Sequence, residues 1–170
     1  KHDPYADIGL VSAEGGKITN LTNSGYTSGS PRWVLDGNAI LFITERYGMR
    51  AHASWGSLND VMLVFMNQDA YDKYRLSKED YELQKELEKE QKKSSEGVDK
   101  EKKSKAESEK ESKEAKPINV ELAGIEDRIV RLTPNSSDLG GAILTKDGET
   151  LYYLSAFESK HDLWKMDLRK

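Results

Sequence analysis

Short apolar runs broken by turn-forming residues, rather than a helical period, organise most of this 170-residue chain. Pro31 to Leu35 and Ala142 to Thr145 each lead into an Asp-Gly pair, and a β-rich run follows at once. Asp-Gly between two such runs predicts a hairpin, because both central residues of a type I′ turn need positive φ. A third strand is predicted wherever Asp opens an apolar run, as in Asp7-Ile8-Gly9-Leu10, Asp60-Val61-Met62-Leu63 and Asp162-Leu163-Trp164-Lys165. Gly15-Gly16 then turns the first of these into a fourth strand, Lys17 to Thr22.

The pattern repeats. Ile18-Thr19-Asn20-Leu21-Thr22 matches Ile129-Val130-Arg131-Leu132-Thr133 at an offset of 111 residues. At the same offset Asp36-Gly37 matches Asp147-Gly148, and Ile40-Leu41-Phe42-Ile43-Thr44 matches Leu151-Tyr152-Tyr153-Leu154-Ser155. Three features in one register establish an internal repeat. Four short antiparallel strands per unit describe a β-propeller blade. The expected fold is therefore mainly β. It comprises about two antiparallel blades of a larger propeller, carried by 1–66 and 128–170, with a charged, partly helical insert at 67–127. Trp33, Phe42 and Leu63, and in the second copy Leu144 and Tyr153, are expected to point between sheets.

The insert reads differently. Ser77 can cap a helix with Asp80 three residues on, and Leu76 with Tyr81 can form a hydrophobic staple. Leu83 shares a face with Leu87, and Glu88 with Lys92 makes a favourable i,i+4 pair, so a helix is predicted from Lys78 to about Lys93. From Ser94 to Lys116 the Lys, Glu and Ser residues have almost nothing to bury, which predicts a disordered or transiently helical tether that Pro117 ends.

Charge changes the picture only locally. Positions 77–116 hold 12 Lys and 13 acidic residues, leaving 14 basic and 17 acidic for the other 130 positions. The net charge of −4, with bases and acids interleaved, makes no basic face for nucleic acid. Absence of Cys excludes disulfides and thiolate metal sites. No apolar run approaches the roughly 18 residues of a membrane span. The chain opens on Lys1-His2-Asp3-Pro4, which reads as a stretch cut from a longer protein.

Candidate chemistry is sparse. His2, His52 and His161 stand apart from other ligand types, so no metal or other cofactor is expected. Asp36 and Asp147 are better explained as turn formers than as calcium ligands, since one carboxylate per turn is far from an oxygen cage. Ser54, Ser57 and Ser155 lack a nucleophile elbow, so no catalytic residue is assigned. The segment from Arg46 to Leu58 is different. It makes the distance from Asp-Gly to the third strand 24 residues in the first unit against 15 in the second. It also carries Arg46, Tyr47, Arg50, His52 and Trp55, types enriched at binding hot spots. Those five are the candidate binding residues. The competing expectation is a loop packed on the insert helix near Tyr81 and Leu83.

Ser30-Pro31-Arg32-Trp33-Val34-Leu35-Asp36-Gly37 through Thr44-Glu45-Arg46-Tyr47-Gly48 resembles the TolB-type WD-like repeat, with Val34-Leu35 in place of the usual Ser-Pro and Leu144 in place of the Trp in the second copy. The stretches Tyr47 to Arg50, Trp55 to Ser57, Asp69 to Glu79 and Gly124 to Arg128 resemble the propeller region of tricorn-like, C-terminal-processing-type serine peptidases of Bacteroidetes-type bacteria. That resemblance implies an exported, periplasmic protein whose peptidase core lies on another part of the chain. The propeller segment would be non-catalytic, with peptide substrate and the parent's other domains as partners. The alternative is a TolB-like interaction propeller with no enzyme attached.

Overall fold

Positive φ at Asp36 (53°) and Gly37 (88°) turns β3 (Ser28–Val34) back into β4 (Ala39–Thr44), with the Asn38 N–H donating to the Leu35 carbonyl at 3.0 Å. The computed structural model in which this turn is seen describes residues 5–50, 56–96 and 117–169. The second Asp-Gly is built differently, which corrects the expectation of two like turns. There Gly148 alone takes positive φ (74°), and its N–H donates to the Thr145 carbonyl at 2.9 Å. Asp147 acts through its side chain instead, accepting from Thr145 Oγ1 at 2.6 Å and from the Glu149 N–H at 3.0 Å. Those bonds, the threonine's first, hold its carboxyl below the usual range.

Among the described residues the chain is mainly β, with antiparallel sheets and two α-helices. A two-stranded sheet pairs β1 (Gly9–Leu10) with β2 (Thr19–Asn20). A four-stranded sheet runs β3-β4-β5-β6, with β5 at Asp60–Phe65 and β6 at Ile129–Arg131. A three-stranded sheet runs β7-β8-β9, over Asp138–Leu144, Thr150–Ala156 and Asp162–Asp167.

Register decides which side chains share a gap. Cross-strand partners Leu41 and Leu63 sit on one face of the middle sheet, where Ala39, Phe65 and Leu132 join Leu144, Leu151 and Tyr153 of the third sheet in one core. The partners Phe42 with Met62, and Ile40 with Val64, sit on the other face and meet Ile8 and Leu21 of the first sheet. All six residues of β5 are therefore buried, since both its faces are covered. That is why its sequence is a continuous apolar run after Asp60 rather than an alternation. In β8, with one face covered, burial alternates.

Phe42, Leu63, Leu144 and Tyr153 all point between sheets, though Phe42 and Leu63 point into different gaps. Trp33 does not: it is 47% exposed. The register pairs Trp33 with Ile40, so it lies on the face that meets the first sheet. Among the described residues that sheet has two strands, and the core between it and the middle sheet has no member in β3. Leu144, which stands at the repeat-equivalent position, is covered by a four-stranded sheet and is buried.

The insert leaves the middle sheet at Met66 and returns beside it. The Glu121 N–H donates to the Met66 carbonyl at 2.7 Å, and the Gln68 N–H to Glu121 Oε2 at 3.0 Å. Asn67 caps α1 (Gln68–Arg75) by accepting from the Ala70 N–H at 2.9 Å, a short helix that the sequence reading did not anticipate. Tyr71 and Tyr74 of α1 lie against Phe65, with ring centroids 5.6 and 5.0 Å away. The second helix, α2, runs Lys78–Glu96. Ser77 caps it through the Asp80 N–H at 3.1 Å, and Tyr81 is buried. Leu83 and Leu87 are exposed. Glu88 pairs with Lys73 of α1 at 2.7 Å. The expected tether falls largely outside the described residues. Among the described residues no helix is long and apolar enough to cross a membrane.

Candidate functional site

Strand direction fixes what stands at each end of the middle sheet. Thr44 pairs with Asp60 at one end and Ala39 with Phe65 at the other. The loop from Arg46 joins the first end, and the insert leaves from the second. The described residues of the loop, 46–50 and 56–58, therefore stand away from Tyr81 and Leu83, against the packing expected there. Tyr81 instead donates through its hydroxyl to the Asp147 carbonyl at 3.3 Å.

Arg50 of the loop packs on Tyr5 and Tyr26, and Tyr47 packs on Arg131 of β6. The Arg50 guanidinium lies 5.3 Å from the Tyr5 ring and 5.5 Å from the Tyr26 ring, and 3.8 Å from Glu45. Tyr47 has the Arg46 guanidinium 5.5 Å and the Arg131 guanidinium 5.3 Å from its ring centre, yet remains half exposed. Cation–π contacts of this kind help to hold each arginine in place, and Arg50 also donates to the Tyr5 hydroxyl at 3.5 Å. Tyr5, Tyr26, Arg46 and Arg50 line a shallow cleft of about 510 Å³. Of the five candidate residues, Arg46, Tyr47 and Arg50 are thus gathered on one surface. His52 and Trp55 lie outside the described residues.

Gly48 closes the base of this loop. A Cβ there would collide with the Leu58 carbonyl, while the Leu58 N–H donates to the Met49 carbonyl at 3.0 Å. Gly48→Ala must force the two limbs apart. It should lower the free energy of unfolding by about 1–3 kcal/mol, checked by urea denaturation against the parent chain.

Below the loop lies a buried carboxylate that fastens the third strand of the unit to the fourth. Asp60 is fully buried and accepts from Arg131 Nε at 2.9 Å, Thr133 Oγ1 at 2.8 Å and Ser136 Oγ at 2.7 Å, with Arg131 Nη2 also 2.7 Å from it in an ion pair. Thr133 Oγ1 in turn accepts from the Val61 N–H at 3.2 Å. The first sheet repeats the arrangement: Thr22 Oγ1 donates to Asp7 at 2.7 Å and accepts from the Ile8 N–H at 3.1 Å. Burial alone would raise the Asp7 carboxyl, but the bonds from Thr22 and Asn20 outweigh it and hold it below the usual range. The sequence showed both the Asp and the Leu-Thr recurring, without showing that they meet.

At the opposite end a cleft of about 580 Å³ lies between the two Asp-Gly turns and the helices, lined by Asp36, Asn38, Lys73, Asp147 and Arg169 among others. Arg169 donates to the carbonyls of Leu76 (2.9 Å) and Lys73 (3.1 Å) and stacks 3.6 Å from the centre of the Tyr81 ring. It thereby satisfies carbonyls at the end of α1 and ties the helices to the third sheet. Nothing local in the sequence marks Arg169 for this role.

Groups that carry hydrolytic chemistry are dispersed. Ser57 donates to Glu45 at 2.6 Å, and Ser155 donates to Ser137 at 2.6 Å. His161 stands on the surface, 3.8 Å from Asp138. Among the described residues no three His, Cys, Asp or Glu side chains are placed to hold a metal ion. No family model, no curated protein and no solved structure matches the chain.

Proposed function

We propose that the chain is a non-catalytic segment of a β-propeller belonging to a tricorn-like serine peptidase, exported to the periplasm, where it guides or gates peptide or rests against the peptidase core. The observation that supports this reading is the direction of stacking. Each sheet turns equivalent positions the same way: Ile40 and Phe42 face the preceding sheet, as do their repeat partners Leu151 and Tyr153. Leu41 faces the following sheet, and its partner Tyr152 faces outward with Ile143 and Leu163, which are 62% and 70% exposed. An apolar face in that position calls for a further unit of the same kind. Peptide contact is assigned to the Arg46, Tyr47 and Arg50 surface, because a loop on a rigid sheet is free to vary while the strands fix its place.

Two measurements test this. The purified chain should release no product from a peptide library; cleavage abolished by a point change within the chain would overturn the reading. In the longer protein that the proposal requires, a PDZ domain and a peptidase core should follow. There, Arg46→Ala with Arg50→Ala should raise KM for peptide by about tenfold with kcat little changed, as loss of binding common to ground and transition state does. A downstream sequence holding no peptidase core would leave an interaction propeller of the TolB kind.

A further inference from the structure

Helix α2 is fastened to the body by its polar side and turns its leucines to solvent. Tyr81 is buried and donates to the Asp147 carbonyl, Lys85 pairs with Glu149, and Glu88 pairs with Lys73. At about 3.6 residues per turn these three residues share one face. Leu83 and Leu87 stand one turn apart on the opposite face, 57% and 50% exposed. A surface helix ordinarily does the reverse, burying its apolar stripe and presenting its charges to water.

Beside the leucine row runs a row of acid. Glu82, Glu86 and Glu90 follow one another at i,i+4, and all three are exposed. Like charges at that spacing destabilise a helix. Among the described residues no ion pair relieves any of the three. The solvent face therefore joins an apolar row to an uncompensated acidic one. That combination selects among partners. An anionic lipid surface would be repelled, whereas a basic partner would cover the leucines and neutralise the carboxylates together.

We propose that this face of α2 is a docking site for a basic amphipathic helix, one that carries leucines beside a row of Lys or Arg. Its apolar ridge would interlock with Leu83 and Leu87, as packed helices do, and its cations would lie along Glu82, Glu86 and Glu90. A contact of one helix face belongs with transient rather than obligate interfaces. The site rests on α2 alone, and it stands whether or not the parent is a peptidase.

The probe is an amidated peptide of repeated Leu-Lys-Ala-Leu-Arg-Lys-Ala units, titrated into the whole chain and followed by amide NMR shifts and calorimetry. Shifts should concentrate at residues 79–90. Leu83→Ser with Leu87→Ser should weaken binding by about tenfold or more at an unchanged unfolding midpoint, because both side chains already meet water. Glu82→Gln with Glu86→Gln and Glu90→Gln should weaken it by about tenfold as well, and should flatten its dependence on salt. A peptide with Glu in place of every Lys and Arg should not bind. Absence of binding by the basic peptide would overturn the proposal. So would an affinity untouched by the leucine changes, since charge alone would then hold the peptide. Sedimentation of the chain as a dimer that Leu83→Ser disperses would give the face to a second copy and overturn it equally. A gain in peptide affinity of about tenfold on deleting 97–116 would give the face to the chain's own insert, with the same consequence.

Discussion

Phe42→Ala should lower the free energy of unfolding by about 3–5 kcal/mol, because the ring is buried between the first and middle sheets and the site cannot collapse around an alanine. The gap is walled by Ile8 and Leu21 on one side and by Met62 and Val64 on the other. These side chains are fixed by two separate sheets, so closing the void would require moving one sheet towards the other. The midpoint of urea unfolding should fall with little change in slope. An unchanged midpoint would mean that the two sheets do not pack as described, and the assignment of Phe42 and Met62 to that gap would fail with it. Trp33→Ala serves as the internal comparison. It shares the face but stands half exposed on the edge strand, and its loss should cost far less.

The second large effect is expected at Asp60. Asp60→Ala should cost about 3 kcal/mol, since it strands Arg131, Thr133, Ser136 and the Val61 N–H that the carboxylate organises directly or through Thr133. The loss is set below that of a wholly buried ion pair because the Arg131 side chain is one-third exposed and can turn to water. The informative comparison is Asp162→Ala at the repeat-equivalent position, where the carboxylate is exposed and the change should be near neutral. A single residue type at a single repeat position would then have opposite consequences according to whether its fourth strand is present. Equal costs at the two positions would show that the Asp60 cluster is not what holds β6 to β5.

Much of the strand order was legible because local signals and burial agreed. Gly15-Gly16 and Asp36-Gly37 placed turns through glycines, which reach positive φ without penalty, and an aspartate, which tolerates it, and the offset of 111 set the two long hairpins in one register. What was missed depended on partners distant in sequence. Trp33 reads as core by type, and only the two-strand width of the neighbouring sheet leaves it uncovered. The Asp147 turn looks like the Asp36 turn until Thr145 is seen to take the carboxylate. For α1 a signal existed, in Asn67 as cap with Asp69 in the first turn, but eight residues make a weak periodic pattern. Arg169 carries no local signal at all, because the carbonyls that it satisfies lie on the insert, more than ninety residues earlier. For the loop, direction alone was sufficient: a segment joining β4 to β5 and an insert leaving β5 must stand at opposite ends of one sheet. Of the five candidate binding residues, Arg46, Tyr47 and Arg50 lie on one surface, where Tyr5 and Tyr26 orient Arg50.

The proposed function rests on the chain being one stretch of a one-directional stack of sheet units that continues beyond the third sheet. Amide hydrogen exchange measured residue by residue, in this chain and in the longer protein that the proposal requires, tests that most directly. In the chain alone Leu63, buried in the middle sheet, should exchange only through global unfolding, while the equivalent Lys165 at the β9 edge exchanges freely. In the longer protein Leu163 and Lys165 should slow by about a hundredfold or more, as a sheet edge does when it becomes part of a cooperative core. Exchange at those two amides that is equally fast in both proteins would contradict the stack.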